Sequence, residues 1–276
     1  MKKRFTPKEK QEILKKYKSG KYNAVQIAKE YNATNSGILK LVRRMGYLVP
    51  ADQSKLQRKY TLNTNYFDAI DNEHKAYWLG FLYADGYNSE IRGTIKLALQ
   101  ARDKEILIKF KKDLNCNNPL KLILTSKKNP KWQDTYSLTI CNRKISTNLA
   151  QLGCYQSKSL TLQFPTSKQV PKYLLNHFIR GMWDGDGSIN TCGGSLVSTI
   201  MFCDKLKLIL NNLKVTYKID NICNKQNQIT KTLRLTGGRV NALKLYDWLY
   251  RDATVYLQRK YEKYIIMKDK QIKNPK

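Results

Sequence analysis

Two apolar stretches, far apart along the chain, share one pattern of hydrophobic and small positions. They are Trp78-Leu-Gly-Phe-Leu-Tyr-Ala-Asp85-Gly86 and Ile179-Arg-Gly-Met-Trp-Asp-Gly-Asp186-Gly187. Each has the length of a helix, and each carries two small residues four positions apart: Gly80 with Ala84, and Gly181 with Gly185. Small residues at this spacing let two helix backbones approach closely. The pattern therefore predicts an internal repeat whose two helices pair side by side.

Each stretch ends in an aspartate followed by a glycine, and this ending predicts chemistry as well as structure. Gly86 and Gly187 occupy the position where a helix C-terminus favours a left-handed residue. Asp85 and Asp186 would then lie at helix C-termini, where the macrodipole is already negative. If the helices pair, the two carboxylates converge in an unfavourable field, which a bound divalent cation would relieve.

The periodicity around these stretches predicts two copies of the order α-β-β-α-β-β-α, and hence an α+β fold class. In the first copy, helices are predicted at 73–85, 103–114 and 144–152, and strands at 87–91, 94–99, 120–126 and 135–141. In the second copy, helices are predicted at 172–186, 204–213 and 239–250, and strands at 187–191, 196–201, 215–223 and 228–236. A final basic helix is predicted from Val255 to Met267.

The first 47 residues predict a separate module of three short helices. Thr6-Pro7 is a favourable helix start, with threonine as the N-cap and proline in the first turn. The positions spaced for burial are Leu14 and Tyr17 in the first helix, Val25, Ala28 and Tyr31 in the second, and Ile38, Leu41 and Val42 in the third. Two short helices joined by a tight turn resemble a helix-turn-helix, in which the last helix reads DNA. Its candidate base contacts are Thr34, Asn35 and Ser36, and its candidate phosphate contacts are Lys40, Arg43 and Arg44.

The same patterns divide the chain into five segments. The predicted segments are a helix-turn-helix domain at 1–47, a basic linker at 48–72, a first repeat at 73–153, an inter-repeat linker at 154–171, and a second repeat at 172–276. The 48–72 segment lacks helical periodicity and carries Lys55, Arg58 and Lys59, which are candidate DNA contacts.

The charge of the chain indicates a polyanionic partner. The net charge is +30 over 276 residues, and the basic residues are spread along the whole length. A membrane surface is the competing polyanion, but no apolar run approaches the length of a transmembrane helix. The six cysteines include no C-x-x-C pair, so reduced thiols are expected instead of a zinc site or a disulfide framework.

One face of each predicted sheet is rich in basic and amide side chains, which predicts a DNA-facing surface. A two-stranded β-ribbon fits the major groove of DNA, and two related sheets would cover neighbouring groove segments. The candidate contacts are Arg92, Lys96, Lys121, Lys127, Lys128, Lys131, Lys218, Lys225, Gln228, Lys231 and Arg234.

Together, the paired motifs and the tail Val255-Tyr-Leu-Gln-Arg-Lys260-Tyr resemble the LAGLIDADG homing endonucleases over roughly residues 73–262. The resemblance implies two pseudo-symmetric αββαββα repeats with DNA-facing antiparallel sheets. It also implies a metal site formed by Asp85 and Asp186 with the neighbouring Ala84 and Gly185. One departure is visible two positions before the metal aspartate, where the second motif has Asp184 and the first has Tyr83.

Further pocket residues follow from the resemblance alone. Gln100 corresponds to a polar, water-ordering position, which the second copy replaces with Ile200-Met201. Basic residues that would polarise solvent or phosphate are Arg143 or Lys144, Arg239 and Lys260. The two histidines, His74 and His177, precede the aspartates by two to three helical turns and are interpreted as packing or helix-start residues.

The resemblance implies a site-specific endonuclease, intron-encoded, that hydrolyses both strands of DNA with a divalent metal. The expected metal is Mg²⁺, with Mn²⁺ as a substitute and Ca²⁺ supporting binding without cleavage. The expected partner is a long, asymmetric duplex site, bound by a monomer because one chain holds both motifs. The expected location is the cytoplasm of a bacterial or phage-infected cell, or alternatively an organelle matrix. The alternatives are a catalytically silent DNA-binding regulator of the same fold and an intron RNA maturase.

Overall fold

A computed structural model describes residues 5–47, 60–223 and 229–273. The chain divides into two compact units, Met1–Thr61 and Leu62–Lys276. In the described residues, no helix is long and apolar enough to cross a membrane.

The first unit contains three short helices that are defined by side-chain caps. Helix α1 spans Pro7–Lys18, α2 spans Ala24–Glu30 and α3 spans Asn35–Arg44. The N-cap residues Thr6 and Asn23 each form a reciprocal capping box with the third residue of the helix that follows. The predicted start at Thr6-Pro7 is therefore confirmed.

A small core of its own holds this unit together. The buried side chains are Ile13, Tyr17, Ala24, Ile27, Ala28, Ile38 and Val42. The expected burial of Val25 is wrong, because this side chain is 50% exposed. Helix α2 begins at Ala24, immediately after the Asn23 cap, so its inward face carries Ala24, Ile27 and Ala28.

The second unit contains two copies of one element order. The first copy consists of α4 Glu73–Asp85, β1 Gly86–Ser89, β2 Thr94–Gln100, α5 Lys104–Asp113, β3 Lys121–Ile123, β4 Thr135–Cys141 and α6 Arg143–Gln151. The second copy consists of α7 Leu175–Asp186, β5 Gly187–Ile189, β6 Gly194–Ser198, α8 Ile200–Asn212, β7 Tyr217–Cys223, β8 Ile229–Leu235 and α9 Gly238–Leu249. A last helix, α10, spans Gln258–Lys273.

The two sheets have the same topology. Each has four antiparallel strands, in the orders β1-β2-β4-β3 and β5-β6-β8-β7. The side chains of alternate strand positions, such as Ile95, Leu97, Leu196 and Leu233, are buried against the helices. The predicted α+β fold with two related antiparallel sheets is confirmed.

Helices α4 and α7 pack against each other through their small residues. A Cβ atom on Gly80 would overlap the carbonyl oxygen of Phe178, and one on Gly181 would overlap that of Tyr77. A Cβ on Gly185 would overlap the Cβ of Ala84. Every residue from 76 to 83 in α4 is buried, as expected for a helix that is apolar on all sides. The predicted close pairing of the two helices is confirmed.

The conformation of the glycines after these helices differs from the prediction. Gly86 has φ −78° and ψ 137°, and Gly187 has φ −80° and ψ 158°, so both are extended instead of left-handed. Each is the first residue of a strand, because the chain passes directly from helix to sheet. Glycine is needed for space instead: a Cβ at Gly86 would lie 2.5 Å from the Leu82 oxygen, and one at Gly187 2.5 Å from the Trp183 oxygen.

Several element boundaries also differ. Ile200 and Met201, predicted at a strand end, belong to α8, because Thr199 caps that helix and it begins four positions earlier than expected. Helix α10 begins at Gln258 instead of Val255. Residues 62–72, predicted as linker, lie in the second unit, where Phe67 and Ile70 are buried in its core.

Candidate functional site

The two motif aspartates lie together at the ends of α4 and α7. Asp85 is the last residue of α4 and Asp186 is the last residue of α7. An ideal Cβ on Gly185, next to Asp186, would stand 3.2 Å from Oδ2 of Asp85. Both side chains are exposed, and in the described part of the chain neither carboxylate has a hydrogen-bond partner. The helix pairing therefore brings two free carboxylates to one place, as the sequence predicts.

Their surroundings raise the pKa of both carboxyl groups. The carboxylates reach solvent, but the packed helix ends around them withhold much of the water, and this desolvation is the main cause for each. The pKa of Asp186 rises to about 6, with the negative charge of Asp85 as the second cause. The ammonium groups of Lys158 and Lys260 act in the opposite direction on both aspartates. The two carboxylates thus repel each other, and the positive charges nearby reduce this repulsion.

Lys260 closes the C-terminus of α7 from within the core. Its side chain is buried, and Nζ donates to the carbonyl oxygens of Trp183 and Asp184 at 2.7 Å each and of Gly187 at 2.5 Å. These carbonyls include ones that a helix end leaves without partners. Burial lowers the pKa of Lys260 to about 8, while the charge of Asp184 opposes that shift. The ammonium is therefore fixed beside Asp186 instead of being mobile in solvent.

Lys158 has the corresponding position at the end of α4. Its buried Nζ donates to the carbonyl oxygen of Gly86, just as Lys260 donates to that of Gly187. The sequence interpretation missed Lys158. The signal is a short repeat, Gln156-Ser-Lys158 in the first copy and Gln258-Arg-Lys260 in the second.

Tyr83 and Asp184 occupy equivalent positions in the two motifs. Each forms a hydrogen bond to the chain that leads to the capping lysine of its repeat, but the two bonds differ. The hydroxyl of Tyr83 donates to the carbonyl oxygen of Leu152 at 2.5 Å. The carboxylate of Asp184 accepts from the backbone N–H of Leu257 at 2.8 Å and from the Tyr77 hydroxyl at 2.9 Å. Each bond anchors the chain shortly before the capping lysine. Tyr83 therefore replaces Asp184 as a tether, which explains the departure of the first motif.

Residues 254–260 form a strap that touches both repeats. Its Thr254 and Val255 N–H groups donate to the Glu73 carboxylate at the start of α4. Arg259 makes a bidentate ion pair with Asp103, with N–O distances of 2.9 Å and 3.1 Å. Both Asp103 and Arg259 affect the pKa of Asp85, the first raising it and the second lowering it. The strap thus connects the second repeat to the Asp85 side of the site.

Gln100 ends β2, three residues before Asp103, and its side chain is exposed. The remaining predicted catalytic residues contact other groups. Arg143 donates to the Ile91 carbonyl oxygen at 3.4 Å, Lys144 pairs with Asp68 at 2.7 Å, and Arg239 donates to the Lys270 carbonyl oxygen at 2.8 Å. None of the three is among the charged groups that most affect the pKa of Asp85 or Asp186. The basic groups beside the aspartates are Lys158, Lys260 and Arg259.

The donor set fits a hard divalent cation that keeps water and substrate ligands. Among the described residues, no cluster of three or more His, Cys, Asp or Glu side chains could hold a metal. The aspartate pair instead offers free carboxylate oxygens at two helix ends. The last carbonyl groups of these helices, near Ala84 and Gly185, add to the negative field there. Mg²⁺ in particular is bound through one or two carboxylates together with water and phosphate oxygens.

Two predicted basic residues of the first sheet, Lys96 and Lys121, lie in strands on the side away from the helices. Lys96 is paired with Thr139, and Lys121 with Ser137, so these positions share the face on which Gln100 lies. The exposed side chains are Arg92, Lys96, Lys121, Lys127, Lys128 and Lys131. Of these, Lys96 and Lys121 belong to strands on that face, and Arg92, Lys127, Lys128 and Lys131 belong to the connections between strands.

The second sheet follows the prediction in part. Lys218 lies directly opposite Arg234 in the strand register, and both are exposed on the helix-free face. The predicted DNA-facing position of Lys231 is wrong. Along β8 its side chain alternates to the helix-covered face, where Nζ donates to Asp204 at 3.1 Å. The candidates Lys55, Arg58, Lys59, Lys225 and Gln228 lie outside the described residues.

The candidate reading helix of the first unit has an exposed basic surface. The exposed side chains are Thr34, Asn35, Ser36, Lys40, Arg43 and Arg44. The hydroxyl of Thr34 accepts from the Gly37 N–H at 3.1 Å and so caps α3, with its own proton left to donate.

A polar network lies at the opposite ends of the motif helices. His74 contacts Asp113 through Nδ1 at 2.6 Å and Thr254 through Nε2 at 2.9 Å. The Thr254 hydroxyl donates to Glu73, a carboxylate that also pairs with Arg180 at 2.7 Å. Because the threonine proton is already directed to Glu73, Nε2 of His74 acts as the donor to Thr254, and both contacts of the ring favour its protonated form. The hydrogen bond to Asp113 is accordingly the main reason its pKa is raised.

Among known proteins, this chain is similar to a group of solved structures. No family model matches the chain, and no curated protein matches it. The homing endonuclease I-WcaI bound to its DNA recognition sequence is 12% identical, with 79% of this chain and 96% of that chain covered and a TM-score of 0.45. I-DmoI in complex with DNA and Ca is 16% identical, with coverages of 63% and 85% and a TM-score of 0.37. A mesophilic variant of the homing endonuclease I-DmoI is 16% identical, with coverages of 68% and 97% and a TM-score of 0.39.

Proposed function

We propose that this protein is a DNA endonuclease of the LAGLIDADG homing type, which cuts both strands of a specific duplex site with a divalent metal. The observation that carries the proposal is the junction of Asp85 and Asp186. Two helices packed through glycine bring these free carboxylates together, and two buried lysines, Lys158 and Lys260, hold the helix ends around them. This arrangement costs electrostatic energy, and a cation between the carboxylates would recover it.

Double-stranded DNA is the substrate that the surface supports. The chain has a net charge of +30, and exposed lysines and arginines line the helix-free face of each sheet. An antiparallel ribbon fits the major groove, and basic side chains neutralise phosphates. The exposed basic end of α3 in the first unit supports a second contact to the same kind of partner.

The chemistry divides between the metal and the protein. A divalent cation, Mg²⁺ in our proposal with Mn²⁺ as a substitute, supplies an activated water and stabilises the leaving oxygen. Asp85 and Asp186 would hold that cation. Lys158 and Lys260 keep both helix ends in place and oppose the rise in the pKa of the two acids, which favours the ionised forms needed for binding.

A single chain is sufficient for the reaction, since both motif helices belong to it. The two halves of the site are not identical: Arg259 and Asp103 flank Asp85, whereas Ser157 precedes Lys158 at the position that corresponds to Arg259. Unlike halves suit an asymmetric target. We therefore propose a monomer that binds a long, non-palindromic site.

The test uses a duplex obtained by selection from a randomised library, with cleavage measured in Mg²⁺ and binding in Ca²⁺. Asp85→Asn and Asp186→Asn should each reduce double-strand cleavage by about 100-fold or more, because the charge that holds the metal is lost. Binding should stay close to that of the natural protein. Asp68→Asn, an exposed aspartate paired with Lys144, is the matched control and should cut normally.

The outcomes separate the proposal from a catalytically silent regulator. A natural protein that binds the selected duplex and never cuts it in Mg²⁺ or Mn²⁺ would favour the regulator. Unchanged cleavage by either asparagine variant would disprove the metal assignment. Equal loss of folding and binding in both variants would show that the aspartates are structural.

A further inference from the structure

Asp220 is the only acidic residue in the eight strands that the structure describes. It lies in β7, between Ile219 and Asn221, and alternation places it on the same face as Lys218. That face is directed away from the helices. The side chain of Asp220 is 56% exposed. A carboxylate thus interrupts a surface that is otherwise basic or neutral.

The partner of Asp220 is Arg234 on the neighbouring strand. Asp220 is paired with Thr232 in the register, so Arg234 is its diagonal neighbour, within reach of a long side chain. Nη2 of Arg234 lies 3.8 Å from Oδ2 of Asp220, and the arginine side chain is 63% exposed. The pair is therefore open to a ligand on this face.

Stability does not explain this pair. An exposed ion pair at such a distance contributes little to folding, since solvent screens it. On a surface that meets phosphates, a carboxylate would also weaken binding by like-charge repulsion. A carboxylate on this surface can interact favourably with the edges of the bases. There a carboxylate accepts from the N4 amino group of cytosine, and arginine donates to O6 and N7 of guanine.

We infer that the Arg234–Asp220 pair reads a G·C base pair in the major groove, with Arg234 donating to guanine and Asp220 accepting from cytosine N4 of the same pair. This inference rests on the proposed DNA binding and adds the base that one surface recognises. Only Nη2 of the exposed guanidinium lies near Asp220, and the group has further N–H donors that a guanine edge can accept from.

Lys218 provides a matched comparison on the same face. It lies directly opposite Arg234 in the register and is exposed, but no ion pair with a carboxylate is formed by it in the described residues. A lysine ammonium is a point charge without the planar fork of arginine, so it suits a phosphate better than a base edge. Its loss should weaken binding to every sequence alike.

The experiment is selection from a randomised duplex library in Ca²⁺, followed by sequencing, with the natural full-length chain, Asp220→Asn, Arg234→Gln and Lys218→Gln. Thermal melting of each variant confirms that it is folded. The natural chain should enrich a motif with a G·C pair at a fixed position. Both Asp220→Asn and Arg234→Gln should reduce the preference at that one position by about tenfold or more and leave the other positions unchanged. Lys218→Gln should lower the affinity without changing the motif.

Two other results would overturn the inference. If Asp220→Asn and Arg234→Gln enrich the same motif as the natural chain, with only a uniform change in affinity, the pair does not read a base. If the natural chain enriches no motif and binds no duplex, the proposed function fails first, and this inference fails with it.

Discussion

Gly80 lies directly against the carbonyl oxygen of Phe178, with no room between the two helices for a methyl group. The relationship is reciprocal, because Gly181 lies in the same way against the carbonyl oxygen of Tyr77. Backbone touches backbone at both points, and neither contact can be relieved by turning a flexible side chain. The separation of α4 and α7, and with it the distance between the two aspartates, is set by these glycines.

Gly80→Ala and Gly181→Ala should each destabilise the second unit by about 2 kcal/mol or more. Alanine favours a helix by about 1 kcal/mol over glycine, but the overlap with a backbone oxygen costs more than that gain. Gly193→Ala is the matched control, since its Cβ would find its nearest neighbour at an ordinary 3.5 Å. Chemical denaturation of the three variants measures the difference. Equal stability of Gly181→Ala and Gly193→Ala would contradict the close packing.

Lys260→Met should destabilise the protein by roughly 2–4 kcal/mol, because three carbonyl oxygens at the end of α7 lose their buried donor. Lys158→Met should cost less, about 1 kcal/mol, because one carbonyl oxygen, that of Gly86, loses its partner. Denaturant unfolding of the two variants gives the comparison. A Lys158→Met cost equal to or above that of Lys260→Met would show that the number of capped carbonyls does not determine the effect.

His74 should stabilise the fold at low pH and cease to do so at high pH. Its pKa is raised above the usual 6.5, mainly by the hydrogen bond to Asp113. The folded state therefore binds the proton more tightly than the unfolded state. The stabilisation is fully present below pH 6.5 and is lost as the pH rises through the raised pKa. Since the ring is partly exposed, the effect is at most about 1 kcal/mol. The difference in melting temperature between the natural chain and His74→Gln, followed from pH 6 to 9, should shrink with pH.

His177 supplies the internal control for this prediction. Its Nδ1 faces the Arg180 guanidinium at 2.7 Å, and because arginine only donates, this nitrogen must accept. Burial is the first cause that lowers its pKa, and the charge of Arg180 is the second. The chain has two histidines. Imidazole NMR should show one titration above 6.5 that disappears in His74→Gln and one below it. Two titrations at the ordinary value would contradict both assignments.

Arg43→Ala and Arg44→Ala should weaken binding of the full chain to all duplexes and lower the salt dependence of the binding constant. Each lost phosphate contact should reduce the slope of log K against log salt by about one. Lys8→Ala, an exposed lysine at the start of α1, is the charge-matched control and should leave the slope nearly unchanged. An equal effect from all three variants would mean that the first unit contributes only general charge.

The sequence predicts the repeated architecture because the signals are local and duplicated. Small residues at fixed spacing determine the helix pairing, and alternation determines the strand faces, as for Lys96 and Lys121. The aspartate pair follows from the same pattern. These features can be predicted from the sequence because each depends on residues only a few positions apart.

The rest of the site depends on contacts between distant segments, which periodicity does not encode. The partners of Lys260, Arg259 and Lys158 are defined only once the chain has folded back on itself. Lys231 is an error of a different kind, since alternation alone places it on the same face as the buried Leu233 and Leu235. Lys144, expected in the pocket, instead pairs with Asp68, a partner 76 positions earlier in the chain.

The strap at residues 254–260 also has a consequence for protein synthesis. Translation proceeds from the N-terminus, so both motif helices leave the ribosome before Thr254, Arg259 and Lys260 are made. A nascent chain that has reached only α9 already carries both aspartates, yet it lacks the lysine that caps α7 and the arginine that pairs with Asp103. A chain whose synthesis stops at α9 would thus contain both aspartates without the contacts of Arg259 and Lys260 around them. Synthesis of residues 254–260 is in this sense the last step in the assembly of the site.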